Sequence, residues 1–296
     1  MNDVIVKALA YDKSVRVYAV STKDALNYIG KRLNYFPSAL DALGRCLSMG
    51  AMMGSMLKQE ETLTLKIEGN GPIGKIIIDS DAHGHIRGYS DNPHCHFEYN
   101  DYRLNIKQTV GTSGFISVIK DLKLKEPFVG SIPIISGEIA EDFAYYFHVS
   151  EQTASAVGLG VLVDTENTAI ASGGFIIQLL PNTPEEVIEK LENKLKNIPT
   201  VTEMLSSGYT PEDIIYNICE DIEIVDRIPV EFKCTCSKDR FSRGILSLGS
   251  KEIKELLKGK LPIDTVCHFC GNSFTFDKYE ITDLLIEAHL KEKEQC

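Results

Sequence analysis

The sequence predicts an α+β protein in three parts: a mixed α/β N-terminal domain over residues 1–180, a helical linker over 181–230 and a small cysteine-rich C-terminal domain over 231–296. Three observations carry that division. Helical and alternating apolar patterns are interleaved through the first 180 residues. Residues 181–230 hold 4 Lys and Arg against 11 Asp and Glu, on two capped amphipathic segments. Five of the eight cysteines lie beyond residue 230. A chain of 296 residues that is 43% hydrophobic can bury a sizeable core, as two domains or as one large domain with an appendage.

Two helices open the first part, Thr22 to Asn34 and Ser38 to Leu57. In the second, Leu40, Leu43, Leu47 and Leu57 follow roughly helical spacing. The same helix carries GAMMGSML, with Met49, Met52, Met53 and Met56. Methionine suits adaptable binding surfaces, but a buried core helix explains the run more simply. Strands follow. In LTLKIEG, Leu63, Leu65 and Ile67 alternate with polar residues, and KIIIDS, GFISVIKD and GGFIIQLL are short apolar runs bounded by Gly, Pro or Asp.

Two motifs here invite a functional reading. GNGPIG, residues 69–74, matches the glycine pattern of dinucleotide sites, but that pattern needs a helix next, and KIIIDS is β-branched. A tight turn between strands is the better reading. PHCHF places His94, Cys95 and His96 near His83 and His85, all of them metal-ligand types. No matching ligand pair lies nearby, so a polar loop is expected. No Ser/His/Asp set or carboxylate pair suggests a catalytic centre, and the protein is not expected to be an enzyme.

The linker begins with PNTPEEVIEKLENKL, read as a helix with Thr183 as N-cap, Pro184 at the first helical position and Glu186 reaching back. Val187, Ile188, Leu191 and Leu195 form its apolar stripe. TPEDIIYNIC repeats the device with Thr210, Pro211 and Asp213. Helices this short are marginal alone and need a surface to lie on.

The third part balances 11 Lys and Arg against 11 Asp and Glu. Ser250 is positioned to cap KEIKELLKG, and Asp277 with Glu280 can open KYEITDLLIEAHL through a capping box. Cys234-Thr235-Cys236 is followed, after residues 237–266, by Cys267-His268-Phe269-Cys270 and Gly271. Two close pairs are how a chain offers four thiolates to one tetrahedral Zn²⁺, and Gly271 fits a turn wrapping the metal. The third part is therefore expected to be a small zinc-binding domain holding one Zn²⁺. His268 is expected to be a solvated turn residue.

Charge and compartment limit the partners. A formal charge of −11 disfavours non-specific binding to nucleic acid. The opening MNDVIVKALAYDKSVRVYAV has no uninterrupted apolar run like that of a signal peptide, and no stretch approaches the ~18 apolar residues of a membrane span. The chain is expected in the cytoplasm, where clustered cysteines point to metal or redox chemistry. The zinc could be purely structural, because so small a domain has little core. It could also be a switch: short loops make strained, reducible disulfides, and zinc holds sulfur as the thiolate that oxidants attack. A structural zinc ribbon binding nucleic acid or the ribosome is the alternative function, weakened by the absence of a basic stripe beyond RFSR (Arg240 and Arg243). A thiol oxidoreductase lacks its usual βαβ context.

VEFKCTCS (230–237) with CHFCGN (267–272) resembles the redox-regulated 33 kDa chaperonin family, also called heat shock protein 33. GNGPIG, YYFHVSEQTAS (145–155) and GGFIIQLLP (173–181) are similar to that family's N-terminal domain, and the mass of 32.9 kDa fits. The resemblance covers nearly the whole chain. It implies an ATP-independent holdase of the bacterial cytoplasm, silent while reduced with zinc on Cys234, Cys236, Cys267 and Cys270. It implies that oxidation, often with heat, forms disulfides Cys234–Cys236 and Cys267–Cys270, releases zinc and unfolds the C-terminal domain and linker. Client-binding surface is then exposed, homodimers form, and unfolding clients are held for ATP-driven foldases. The family's pattern assigns no role to Cys46, Cys95, Cys219 or Cys296.

Overall fold

A computed structural model describes residues 3–294. The chain forms two compact units, one ending at Lys233 and one beginning at Cys234.

In the first unit, β1 (Val4–Ala10) and β2 (Val15–Ser21) form a hairpin ahead of α1 (Lys23–Leu33) and α2 (Pro37–Gly54). Then come β3 (Thr62–Gly69), β4 (Lys75–Asp81), β5 (His85–Ser90), α3 (Ile106–Val110), β6 (Gly114–Asp121), β7 (Phe128–Pro133), α4 (Ile139–Ser150), β8 (Ser155–Val163) and β9 (Ala169–Leu179). The segment that follows folds as α5 (Glu185–Leu195), α6 (Val201–Ser206), α7 (Pro211–Ile218), β10 (Glu223–Pro229) and β11 (Glu231–Phe232). The strands make two sheets, ordered β10-β1-β2-β9-β8 and β11-β5-β4-β3-β6-β7.

Helix α2 lies between the sheets. Pro37 starts it with a preset φ, and it is apolar around most of its circumference, with the Asp41–Arg45 pair on one face, as a helix buried between two sheets requires. A Cβ on Gly44 would meet Val161 of one sheet at 2.8 Å, and one on Gly50 would meet Ile78 of the other at 2.6 Å. The two glycines let both sheets close on the helix. Met49, Met52 and Met53 are buried there, so the methionine run is core. The helix ends at Gly54, short of the predicted Leu57.

GNGPIG closes the β3–β4 connection as a turn, not a nucleotide loop. The PHCHF segment is a loop in which Cys95 is buried and His96 pairs with Glu98 at 3.1 Å.

Three helices replace the expected two, and they cover the outer face of the five-stranded sheet. Leu191, Val201, Met204, Ile214, Ile215 and Ile218 pack on Val17, Ala19, Phe175 and Ile177. Strand β10 then pairs antiparallel with β1, and β11 pairs parallel with β5. The Thr210–Asp213 capping box of α7 is present, and α6 carries another between Thr200 and Glu203. The N-cap reading of Thr183 is corrected. Helix α5 starts at Glu185 with Pro184 at its cap, because the Thr183 hydroxyl donates instead to the carbonyls of Ser14 and Leu180.

The second unit holds α8 (Lys238–Leu246), α9 (Ser250–Lys258), the hairpin β12 (Ile263–Val266) and β13 (Ser273–Phe276), and α10 (Lys278–Glu294). Its small core centres on Ile245, Ile253, Phe276, Ile281, Leu284 and Ala288. Asp277 and Glu280 form the expected box opening α10. Ser250 is not a cap. It is the first residue of α9, and its hydroxyl donates to Glu292 at 2.7 Å.

Candidate metal centre

Two short backbone devices build the centre. Cys234 and Cys236 lie on the extended approach to α8, where the Ser237 hydroxyl accepts the Arg240 amide and fixes where the helix begins. Cys267 and Cys270 lie in the turn joining β12 to β13. The Cys267 amide donates to the Asn272 carbonyl at 2.9 Å, and the Gly271 amide donates to the Cys267 carbonyl at 2.8 Å. Gly271 takes φ +69°, a left-handed conformation open to glycine at little cost.

These devices bring the four sulfurs within 4.8 Å of one another. Cys234 Sγ lies 3.7 Å from Cys267 Sγ, and Cys236 Sγ lies 3.4 Å from Cys270 Sγ. A tetrahedral site with metal–sulfur bonds of about 2.3 Å has sulfur–sulfur edges of about 3.8 Å, so the cage has the size of a tetrathiolate ion site. Such a donor set suits zinc or iron. Cys267 and Cys270 are buried, whereas Cys234 and Cys236 are half-buried and form the side open to solvent.

The electrostatics favour a cation. Burial, then the neighbouring thiols, push Cys236 up to about 12. Burial also pushes the Cys270 thiol up. Burial opposes ionisation of Cys234 as well, but the Cys236 amide and the surrounding thiols outweigh it and bring Cys234 down. Four sulfurs this close cannot all ionise together unless a positive ion offsets their repulsion.

Two neighbours of the cage carry no cysteine signal in the sequence. Asn272 points its amide at Cys236 Sγ from 3.9 Å. Arg240 donates to the Thr235 hydroxyl at 3.0 Å, tying down the residue between the first two sulfurs. The polar residue after CHFCG and the arginine one helical turn after Thr235 were the available signals. His268 is exposed. Among the described residues, no other group of three or more His, Cys, Asp or Glu side chains is placed to share a metal. Cys46, Cys95 and Cys219 are buried apart from the cage, and burial pushes all three thiols up, Cys219 to about 12. Cys296 lies outside the described residues.

Fold and site together define a class: a two-unit α+β protein with four cysteines placed to hold a metal ion in its smaller unit. The family model described as Hsp33 protein matches residues 3–277. A 33 kDa chaperonin of Geobacillus sp. (strain WCH70) is 46% identical over 294 residues, covering 98% of this chain and 100% of the relative. One from Bacillus pumilus (strain SAFR-032) is 48% identical, covering 95% and 98%. The crystal structure of the 33 kDa chaperonin of Thermotoga maritima superposes with a TM-score of 0.90 at 32% identity, covering 97% of this chain and 99% of that one. The chain belongs to the Hsp33 family of chaperonins. Among the described residues, no helix is long and apolar enough to cross a membrane.

Proposed function

We propose that the protein is a redox-regulated, ATP-independent holdase of the bacterial cytoplasm. The four-sulfur cage carries the proposal, because it makes the fold of a small unit depend on the redox state of four atoms. Cys234, Cys236, Cys267 and Cys270 hold Zn²⁺ in the reduced protein, and the ion supplies stability that the small core lacks.

Oxidation by a peroxide is the switch. Two peroxide molecules take four electrons from the four thiolates and four protons from solvent. Two S–S bonds and four waters form, and Zn²⁺ leaves. The disulfides are Cys234–Cys236 and Cys267–Cys270. Close sulfur contacts also cross between the pairs, but those partners sit on different segments and separate as the cage opens. Partners two or three positions apart in the chain stay tethered.

Residues 231–296 then unfold as the switch domain and 181–230 follow as the linker. Residues 1–180 remain to bind clients and dimerise. The apolar face that α5, α6 and α7 cover supports this reading, since a non-directional surface suits clients with no shared sequence. Held clients pass to ATP-driven foldases after reduction. The experiment follows zinc release and client light scattering in one sample treated with peroxide at raised temperature, then with a thiol reductant. Reversible suppression of aggregation together with zinc loss is expected. Zinc loss with unchanged aggregation would refute the switch.

A further inference from the structure

Strand β11 is two residues long and forms one edge of the six-stranded sheet. The Glu231 amide donates to the Gly84 carbonyl and the Lys233 amide to the Ile86 carbonyl, each at 3.0 Å. The pairing with β5 is parallel and sets Glu231 opposite His85. Side chains alternate along a strand, so Glu231 and Lys233 share the face of His85 and Phe232 takes the other. On that face His85 Nδ1 lies 2.8 Å from Asp81 Oδ2, and His85 Nε2 lies 3.3 Å from Lys233 Nζ. A carboxylate only accepts and an ammonium only donates. The ring between them therefore carries its hydrogen on Nδ1 and a bare lone pair on Nε2, which makes it neutral.

Protonation reverses the second contact, because it turns a charged N–H toward the Lys233 ammonium. The other charges around the ring leave that effect standing. Asp81 also accepts the amides of His83 and His85, at 2.9 and 3.2 Å, so it holds His85 with or without β11 in place. Asp79 of β4 is taken by Arg87. The His83 ring, 6.0 Å from that of His85, adds positive charge when it is protonated. Glu231 favours the imidazolium but is exposed, whereas Lys233 is in contact with it. Helices α1 and α2 meet this edge on the opposite face, with Tyr28 against Phe232, Arg32 over Tyr28 and Leu47 beside Gly88. Asp3 accepts the Val230 amide through its carbonyl, and its carboxylate faces the Ala25 amide of α1.

We propose that His85 is a pH-sensitive hold on β11. Neutral, it anchors Lys233 and keeps 231–233 on β5. Protonated, it repels Lys233, and the strand loosens. Docking favours the neutral ring, so the hold is full above the range where histidine ordinarily titrates and is lost as pH falls through it. Two main-chain hydrogen bonds and the Tyr28–Phe232 contact are a small hold for a strand, so the loss of one further contact counts. The segment is the last stretch of the first unit before Cys234. Acidification therefore loosens the chain just ahead of the cysteine pairs without an oxidant. This hold is separate from the peroxide switch, since it needs neither a disulfide nor a client.

The test uses the reduced, metal-loaded full chain and two variants, His85→Gln and Lys233→Gln. Glutamine at 85 can still donate to Asp81 and accept from Lys233, but it takes up no proton. Amide hydrogen exchange of residues 231 and 233 is read by mass spectrometry and expressed against the free-chain rate at each pH. In the parent, protection should fall about threefold between about pH 7.5 and 5.5, the scale of one partly exposed charge contact. Both variants should lack that fall. Asp3 is common to all three proteins, so its own titration cancels in the comparison. Nuclear magnetic resonance of the ring protons gives the second readout. The titration midpoint of His85 should rise in Lys233→Gln, because the opposing charge is gone. Exchange in β3 and β4 and the metal content show whether each variant is intact. Lys233 is exposed, so Lys233→Gln carries the test if His85→Gln does not fold. No fall in the parent, the same fall in a folded variant, or an unmoved His85 midpoint overturns the proposal.

Discussion

A Cβ on Gly160 of β8 would stand 2.6 Å from Thr202 Oγ1 and 2.8 Å from the Thr202 amide of α6. Helix α6 thus sits directly on sheet backbone, and Gly173, paired with Gly160 across the strands, lies 2.9 Å at its own ideal Cβ from Leu205. Because the Thr202 amide is backbone, it cannot swing away from an added methyl. Gly160→Ala should lift α6 at a cost of about 1–3 kcal/mol. Amide hydrogen exchange in 201–218 should speed up in the reduced protein while exchange in α2 stays slow. Unchanged exchange in α6 would mean that the seat tolerates a methyl.

The second unit should depend on its metal. Its core centres on six buried side chains, so the ion supplies a large part of its stability, ~10–16 kcal/mol in isolated zinc-binding peptides. Replacing Cys234 and Cys236 with Ser, or adding a strong chelator, should abolish protection of amides in α9 and α10. The amides of β3, β4 and β6 should stay protected. Retained protection in α9 without metal would show that the small core suffices.

Cys219 reports on the covering segment. It ends α7, is buried, and has a thiol held up at about 12 by that burial. Alkylation by a maleimide should be slow in the reduced protein. After oxidation it should accelerate at least tenfold if α7 leaves the sheet, since an exposed thiol ionises near pH 8.5. Cys46, inside α2, should stay protected in both states. Mass spectrometry of labelled peptides reads both sites at once. Equal Cys219 labelling before and after oxidation would mean that the segment stays docked.

Asp3 gives a pH dependence of known sign. Its carboxylate accepts the Ala25 amide at 2.9 Å, and its carbonyl accepts the Val230 amide. Burial raises its pKa to about 6. The folded state therefore binds a proton that the unfolded chain has released. Stability from this group is full below about pH 4 and is lost as pH rises through about 6, by about 3 kcal/mol. Asp3→Asn keeps an acceptor for Ala25 and should remove this slope. The difference between parent and variant melting temperatures from pH 4 to 7 measures it. Parallel curves would show that Asp3 titrates normally.

Features set by neighbours in sequence were legible, and features set by distant strands were not. The paired cysteines, Gly271 and the boxes at Thr210 and Asp277 work within a few residues, so their spacing announces them. The methionine run was readable as core because a helix apolar around most of its circumference has nowhere else to go. Thr183 was misread because its hydroxyl bonds the carbonyl of Ser14, 169 positions away. The surface on which the acidic segment docks was not legible because it depends on β10 finding β1 across more than 200 residues.

Strand β10 also shields an edge. The five-stranded sheet ends in β10, whose own backbone covers β1 from Val4 to Leu9. In any state where 223–229 departs, β1 becomes the terminal strand, and a row of amides and carbonyls turns outward unpaired. Such a row accepts an extended chain by main-chain hydrogen bonding, whatever its side chains. The folded protein keeps that template occupied with a strand of its own.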